Sequence, residues 1–271
     1  MAANPISTER TLVCDGCTLH YWLTGAPDRP LVVFTHGAAL NHREWDAAVA
    51  AVCAEFRVVT WDVRMHGASR PNTIPFTIPQ AADDLVALLD QLGEAQTLLV
   101  GHSMGGNIVQ EVIFRSPARV RAAVLLGCAN NMGKLTALER LQLRASGPLF
   151  ALYPWGALRR QSADVSADRP EVRKYLYEVF GQMTKNDFVT ALLALLRNLH
   201  EEPDYRIPVP FLLTHGANDK TGNIRRAAPE WARREPQCEY VVVPQAGHVA
   251  NMDNPTFFNQ LLLRFLRQQT A

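Results

Sequence analysis

One serine stands between two glycines in Gly101-His102-Ser103-Met104-Gly105, after the apolar run Thr97-Leu98-Leu99-Val100 and before Gly106-Asn107-Ile108-Val109-Gln110. Strand, abrupt turn and helix is the setting in which a G-x-S-x-G pattern presents a nucleophile. The glycines are needed because a sharp turn brings backbone segments together, while Ser103 is held strained and outward-pointing at the carboxyl end of its strand. The positive amino end of the following helix favours negative charge that develops beside the serine.

A serine hydroxyl is a poor nucleophile until a base takes its proton, and the base needs a carboxylate to hold its tautomer and stabilise the imidazolium. Two downstream turns supply these types. Phe211-Leu212-Leu213-Thr214-His215-Gly216-Ala217-Asn218-Asp219 is a buried strand and polar turn ending in an acid, and Tyr240-Val241-Val242-Val243-Pro244-Gln245-Ala246-Gly247-His248 is the next strand and turn, ending in histidine. Ser103, Asp219 and His248 each sit just past a strand, so three segments can converge on one sheet edge.

Positioning them requires a sheet whose strands run the same way. Short β-branched runs at Leu31 to Thr35, Arg57 to Trp61, Thr97 to Val100, Ala122 to Leu126, Val209 to Thr214 and Glu239 to Val243 alternate with helical patterns, the form of a parallel sheet covered on both faces. Helical spacing is clear in Ala82, Leu85, Leu88, Leu89 and Leu92, and again from Phe257 to Leu266 behind the start signals Asn254 and Pro255. Asp15-Gly16 between two strand-like runs predicts a hairpin that sets Cys14 opposite Cys17, a spacing without the second ligand pair that a zinc site needs. From 131 to 206 strand-like runs vanish and helical stretches take over, which predicts a helical cap inserted into a core made of 1–130 and 207–271. Leu149, Phe150, Leu152, Tyr153, Trp155, Phe180, Met183, Phe188 and Leu192 give it apolar bulk, most of which must pack on itself or on the sheet, with a minority free to line a cavity between the two layers.

At 271 residues the chain can bury a large core without disulfides or structural metal. A formal charge of +1 gives no electrostatic reason for a nucleic-acid or acidic-membrane partner. The amino terminus lacks a signal-peptide pattern, no apolar run approaches a membrane span, and five scattered cysteines form no disulfide framework, so a cytoplasmic protein is expected.

His36-Gly37-Ala38-Ala39, Asp62-Val63-Arg64-Met65-His66-Gly67-Ala68-Ser69, the serine turn, and the Asp219 and His248 turns together resemble the α/β-hydrolase fold superfamily over nearly the whole chain outside the insertion. The resemblance implies an α/β fold with a mostly parallel eight-stranded sheet, helices on both faces and a helical cap. It implies a Ser, Asp, His triad in that order and backbone N–H donors from Ala38 and Met104 for the oxyanion. It implies no metal or organic cofactor. One departure is Met65, where relatives usually carry glycine. Ser103 at a position where other relatives carry aspartate argues against alkyl-halide and epoxide chemistry.

Other candidates read as structural. Ser69 lacks the second glycine and reads as a turn residue; Asp62, Arg64 and His66 read as scaffold. His36 and His102 read as loop-holding or pocket-wall residues, His215 as structural, and His20, His42 and His200 have no chemical context. Asn130 and Asn131 stand where some relatives place the triad acid, but an amide cannot stabilise imidazolium as a carboxylate does. Arg225-Arg226 and Arg233-Arg234 fit a solvated helix face. The expected activity is a serine hydrolase acting on a small to medium, mostly uncharged ester or lactone through an acyl-enzyme. The alternatives are carbon-carbon bond hydrolysis or perhydrolysis on the same triad, and a small-molecule sensor on a hydrolase scaffold.

Overall fold

The structure, a computed structural model, describes residues 7–133, 150 and 152–270. Eight strands form one sheet: β1 Ser7–Cys14, β2 Cys17–Thr24, β3 Leu31–Thr35, β4 Arg57–Trp61, β5 Thr97–His102, β6 Val120–Leu126, β7 Phe211–Gly216 and β8 Cys238–Val243. Their spatial order is β1-β2-β4-β3-β5-β6-β7-β8. β1 and β2 pair antiparallel, as do β2 and β4, and every pair from β4 through β3 to β8 is parallel. The hairpin expected at Asp15-Gly16 forms, with Gly16 at φ 70° and Cys14 directly opposite Cys17.

The central strands are apolar at consecutive positions because both their faces are covered. Val33, Leu99, Ala123 and Leu213 pack toward helices α2 (Ile78–Gln91), α3 (Met104–Arg115) and α7 (Ile224–Arg234), whereas Val32, Phe34, Leu98, Val124 and Leu212 pack toward α1 (Asp46–Val52) and α9 (Pro255–Gln268). Thr77 caps α2 by accepting the Gln80 N–H, and Asn254 caps α9 by accepting the Phe257 N–H. Because these strands pair in parallel, the turns after β3, β5, β7 and β8 open on one edge.

Within the predicted insertion lie α4 (Trp155–Ser166), α5 (Pro170–Phe180) and α6 (Lys185–Arg197); a single helical turn, α8 (Ala250–Asp253), precedes α9. Phe180, Met183 and Phe188 are buried, and Phe150, Trp155 and Leu192 are partly buried against the same cluster. Most of this apolar bulk packs away as expected, with Leu152 and Tyr153 exposed; Leu149 lies outside the described residues. Among the described residues, no helix is long and apolar enough to cross a membrane.

Candidate active site

Ser103 joins β5 to α3 with φ 49° and ψ −114°, a conformation that costs a non-glycine residue about 1–3 kcal/mol. The turn exists because its neighbours are bare. A Cβ on Gly101 would stand 2.3 Å from the Gly105 carbonyl oxygen, and one on Gly105 would stand 2.1 Å from that of Thr35. The Ser103 N–H donates to the Leu126 carbonyl at 2.8 Å, which ties the turn to the end of β6. The first turn of α3 begins at Met104, so its unpaired N–H groups and positive end lie beside the serine.

The Asp219 and His248 turns meet. Asp219 Oδ2 and His248 Nδ1 are 3.0 Å apart with both side chains buried. Asp219 Oδ1 accepts the Thr221 N–H at 2.8 Å. Burial pushes the Asp219 carboxyl up, but the His248 hydrogen bond, the charge of His248 and the Thr221 N–H outweigh it and hold the group below its usual range. His248 is linked to the serine turn through His102, whose Nε2 lies 3.1 Å from the His248 carbonyl oxygen and whose ring is 4.8 Å from the His248 ring. Gly127, at φ 56° after β6, leaves the space that His248 fills: a Cβ there would stand 3.1 Å from the His248 carbonyl oxygen.

The loop after β3 carries Ala38, partly buried, and among the described residues no carbonyl or side chain accepts the Ala38 or Met104 N–H. Glu44 shapes this loop, and it was not among the residues singled out in the sequence. Its Oε2 accepts the Gly37 N–H at 2.9 Å, and its Oε1 lies 2.7 Å from His102 Nδ1, off the line of a straight hydrogen bond. Burial raises the Glu44 carboxyl, and His102 and the Gly37 N–H lower it further, so it lies below its usual range. Glu44 and His102 together connect the Ala38 loop, the serine turn and the backbone of His248. His102 is loop-holding, as expected. Its partner is 58 positions away by chain number, with no motif to announce it.

Residues 32–261 match the Alpha/beta hydrolase family. The chain belongs to that family. It is 28% identical over 255 residues to 3-oxoadipate enol-lactonase 2 of Acinetobacter baylyi, covering 92% of this chain and 93% of the relative. Among solved structures, the enol-lactonase of Burkholderia xenovorans LB400 superposes with a TM-score of 0.83 at 24% identity, covering 95% of this chain and 100% of that one. A thermophilic esterase from Thermogutta terrifontis gives 0.83 at 23% identity, covering 98% and 100%. At these identities the two structures establish the shared fold.

Within this alpha/beta hydrolase the remaining sequence candidates have structural partners. Arg64 is fully buried and donates to both Asp84 oxygens, at 2.5 and 2.6 Å, and to the Asp15 carbonyl at 3.1 Å. Asp62 accepts the His42 and Ala68 N–H groups at 2.7 and 2.6 Å, and its carbonyl accepts the Ser69 hydroxyl at 2.6 Å. Met65 has φ 72°, so the loop keeps the left-handed turn that glycine adopts freely and methionine adopts under strain. Asn131 is buried and bonded to Asn107 and Gln110, and its carbonyl accepts the His200 N–H at 2.9 Å. All three histidines without context in the sequence have acidic partners: His20 pairs with Glu9 at 2.7 Å, His42 with Asp62 at 2.8 Å, and His200 with Glu111 at 2.6 Å.

Proposed function

We propose that this alpha/beta hydrolase is a serine hydrolase that cleaves a carboxylic ester or lactone of a small to medium apolar substrate through an acyl-enzyme. Ser103 Oγ attacks the acyl carbonyl while His248 takes its proton. Asp219 engages His248 Nδ1, which leaves Nε2 as the nitrogen for the serine hydroxyl and later for the leaving oxygen. The Ala38 and Met104 N–H groups receive the charge of the tetrahedral intermediate, each donor being worth on the order of 10²- to 10³-fold in rate. Water, deprotonated by His248, then releases the acyl group and restores Ser103. No step calls on a metal or organic cofactor.

The observation that carries the reading is the pairing of a strained serine between β5 and α3 with a buried histidine-carboxylate couple reached through His102. The ester or lactone class is supported by the name of the Acinetobacter baylyi relative, a lactonase at 28% identity. Fluorophosphonate labelling followed by peptide mapping tests the nucleophile, and modification of a serine other than Ser103 would overturn the assignment. A panel of p-nitrophenyl esters, lactones, carbon-carbon substrates and peroxide with acetate tests the reaction class. Inactivity on every ester and lactone would remove that class.

A further inference from the structure

The two residues flanking His248 are both tied to the 166–169 segment that joins the cap helices α4 and α5, Val249 directly and Gly247 through Asp253. On one side the Gly247 N–H donates to Asp253 Oδ2 at 2.7 Å. That same carboxylate accepts the Asp168 N–H at 2.9 Å and the Arg169 N–H at 3.0 Å, both from the cap turn. On the other side the Val249 N–H donates to the Ser166 carbonyl at 3.0 Å. The segments approach closely here: a Cβ on Gly247 would stand 3.1 Å from Ala167 Cα, the Ser166 oxygen and Asp253 Oδ2. A further bond runs from Asn218 Nδ2, beside Asp219, to Asp168 Oδ2 at 2.6 Å.

Asp253 is buried at the end of α8, five residues after His248, and its two oxygens meet three N–H donors. A carboxylate so occupied is a fixed point, because each charge-assisted bond limits its rotation. We propose that Asp253 is a positioning residue that aligns His248 through the seat of the cap, so that the base is in register when the 166–169 turn is docked. This rests on the reading of His248 as the base. The cap then acts on the proton transfer itself as well as on the space around a substrate, and its docking matters for an ester too small to touch the cap helices.

The test uses p-nitrophenyl acetate and a long-chain p-nitrophenyl ester, with Asp253→Asn and Arg169→Pro assayed well below the thermal midpoint of each variant. Asparagine keeps the shape and loses the charge and one acceptor. Arg169 already has φ −78°, within the range proline imposes, so proline there removes one donor from the cap side and leaves Asp253 intact. For Asp253→Asn, kcat on the acetate and the fluorophosphonate labelling rate are expected to fall about 10- to 100-fold, the scale of a small misplacement of a reacting group. KM for the acetate is expected to stay within about twofold. Arg169→Pro is expected to move kcat the same way by a smaller factor. Wild-type kcat and labelling in Asp253→Asn, with only a lowered thermal midpoint, would overturn the proposal and leave a structural staple. A rise in KM confined to the long-chain ester would overturn it too, making the cap a wall and nothing more. Ser103→Ala and His248→Ala in the same assays keep the two readings apart: if either retains activity the triad is wrong, and if both lose it while Asp253→Asn does not, the positioning role alone is wrong.

Discussion

At the serine turn, backbone lies on backbone. Gly101, Gly105 and Thr35 approach so closely that one added methyl would overlap a carbonyl oxygen, and the strain at Ser103 is sustained by that packing. The seat of the cap is built otherwise: Asp253, Ser166 and Asn218 join it to the histidine and aspartate turns through individual hydrogen bonds. A hydrogen bond of this kind contributes about 1 kcal/mol net, whereas close-packed backbone has no small adjustment available. The serine is thereby held rigidly, and His248 is held by contacts that separate one at a time.

The sharpest break of that contrast is chemical. Ser103→Ala is expected to lower kcat by about 10⁴-fold or more with the thermal midpoint nearly unchanged, measured by ester hydrolysis and differential scanning fluorimetry. Gly105→Ala tests the packing, since its Cβ would stand 2.1 Å from the Thr35 oxygen. It is expected to destabilise by roughly 3 kcal/mol in urea unfolding and to abolish labelling of Ser103; wild-type stability would mean that the turn is softer than its geometry. Met65→Gly sets two effects against each other. Relief of the left-handed strain is worth about 1 kcal/mol, but losing a buried methionine side chain costs about 2–5 kcal/mol, so a net loss of about 1–4 kcal/mol is expected.

How much of this was legible is clear from these residues. The three triad candidates were readable because each directly follows an apolar strand, and parallel strands bring such turns to one edge. Met65 was visible as a departure, though only its φ of 72° in the structure shows that the loop keeps a left-handed turn there. Glu44, Asp253 and Glu111 gave no signal. Each acts through a partner that lies elsewhere in the fold, and an isolated acid in a sequence does not state which N–H or imidazole it meets.

The same edge has a pH response. Burial drives the His66 imidazole down to about 3, against 6.5 when free, with His36 beside it acting in the same direction. The folded state therefore stays unprotonated where the unfolded chain takes up a proton. Stability is fully present above about 6.5 and is lost as pH falls toward 3, at about 1.4 kcal/mol per pH unit for this one group. Denaturation at pH 7, 5.5 and 4.5 should show a slope that flattens in His66→Gln; an unchanged slope would assign the effect to other groups. The smallest change is expected at the cap. Asn218→Ala removes one exposed bond to Asp168, costs about 0.5–1 kcal/mol, and should appear in faster amide exchange in α4 and α5 while β5 is unaffected.

By itself the amino-acid order determined the strand-helix alternation, the parallel sheet and the Ser, Asp, His succession, because periodicity and turn chemistry are local and a parallel strand can end only on one side. Tertiary structure alone decided which partners the other buried carboxylates meet: Glu44 with His102 and Gly37, and Asp253 with the cap turn and the Gly247 N–H beside His248. Those pairings depend on distances across the fold, which no spacing along the chain encodes.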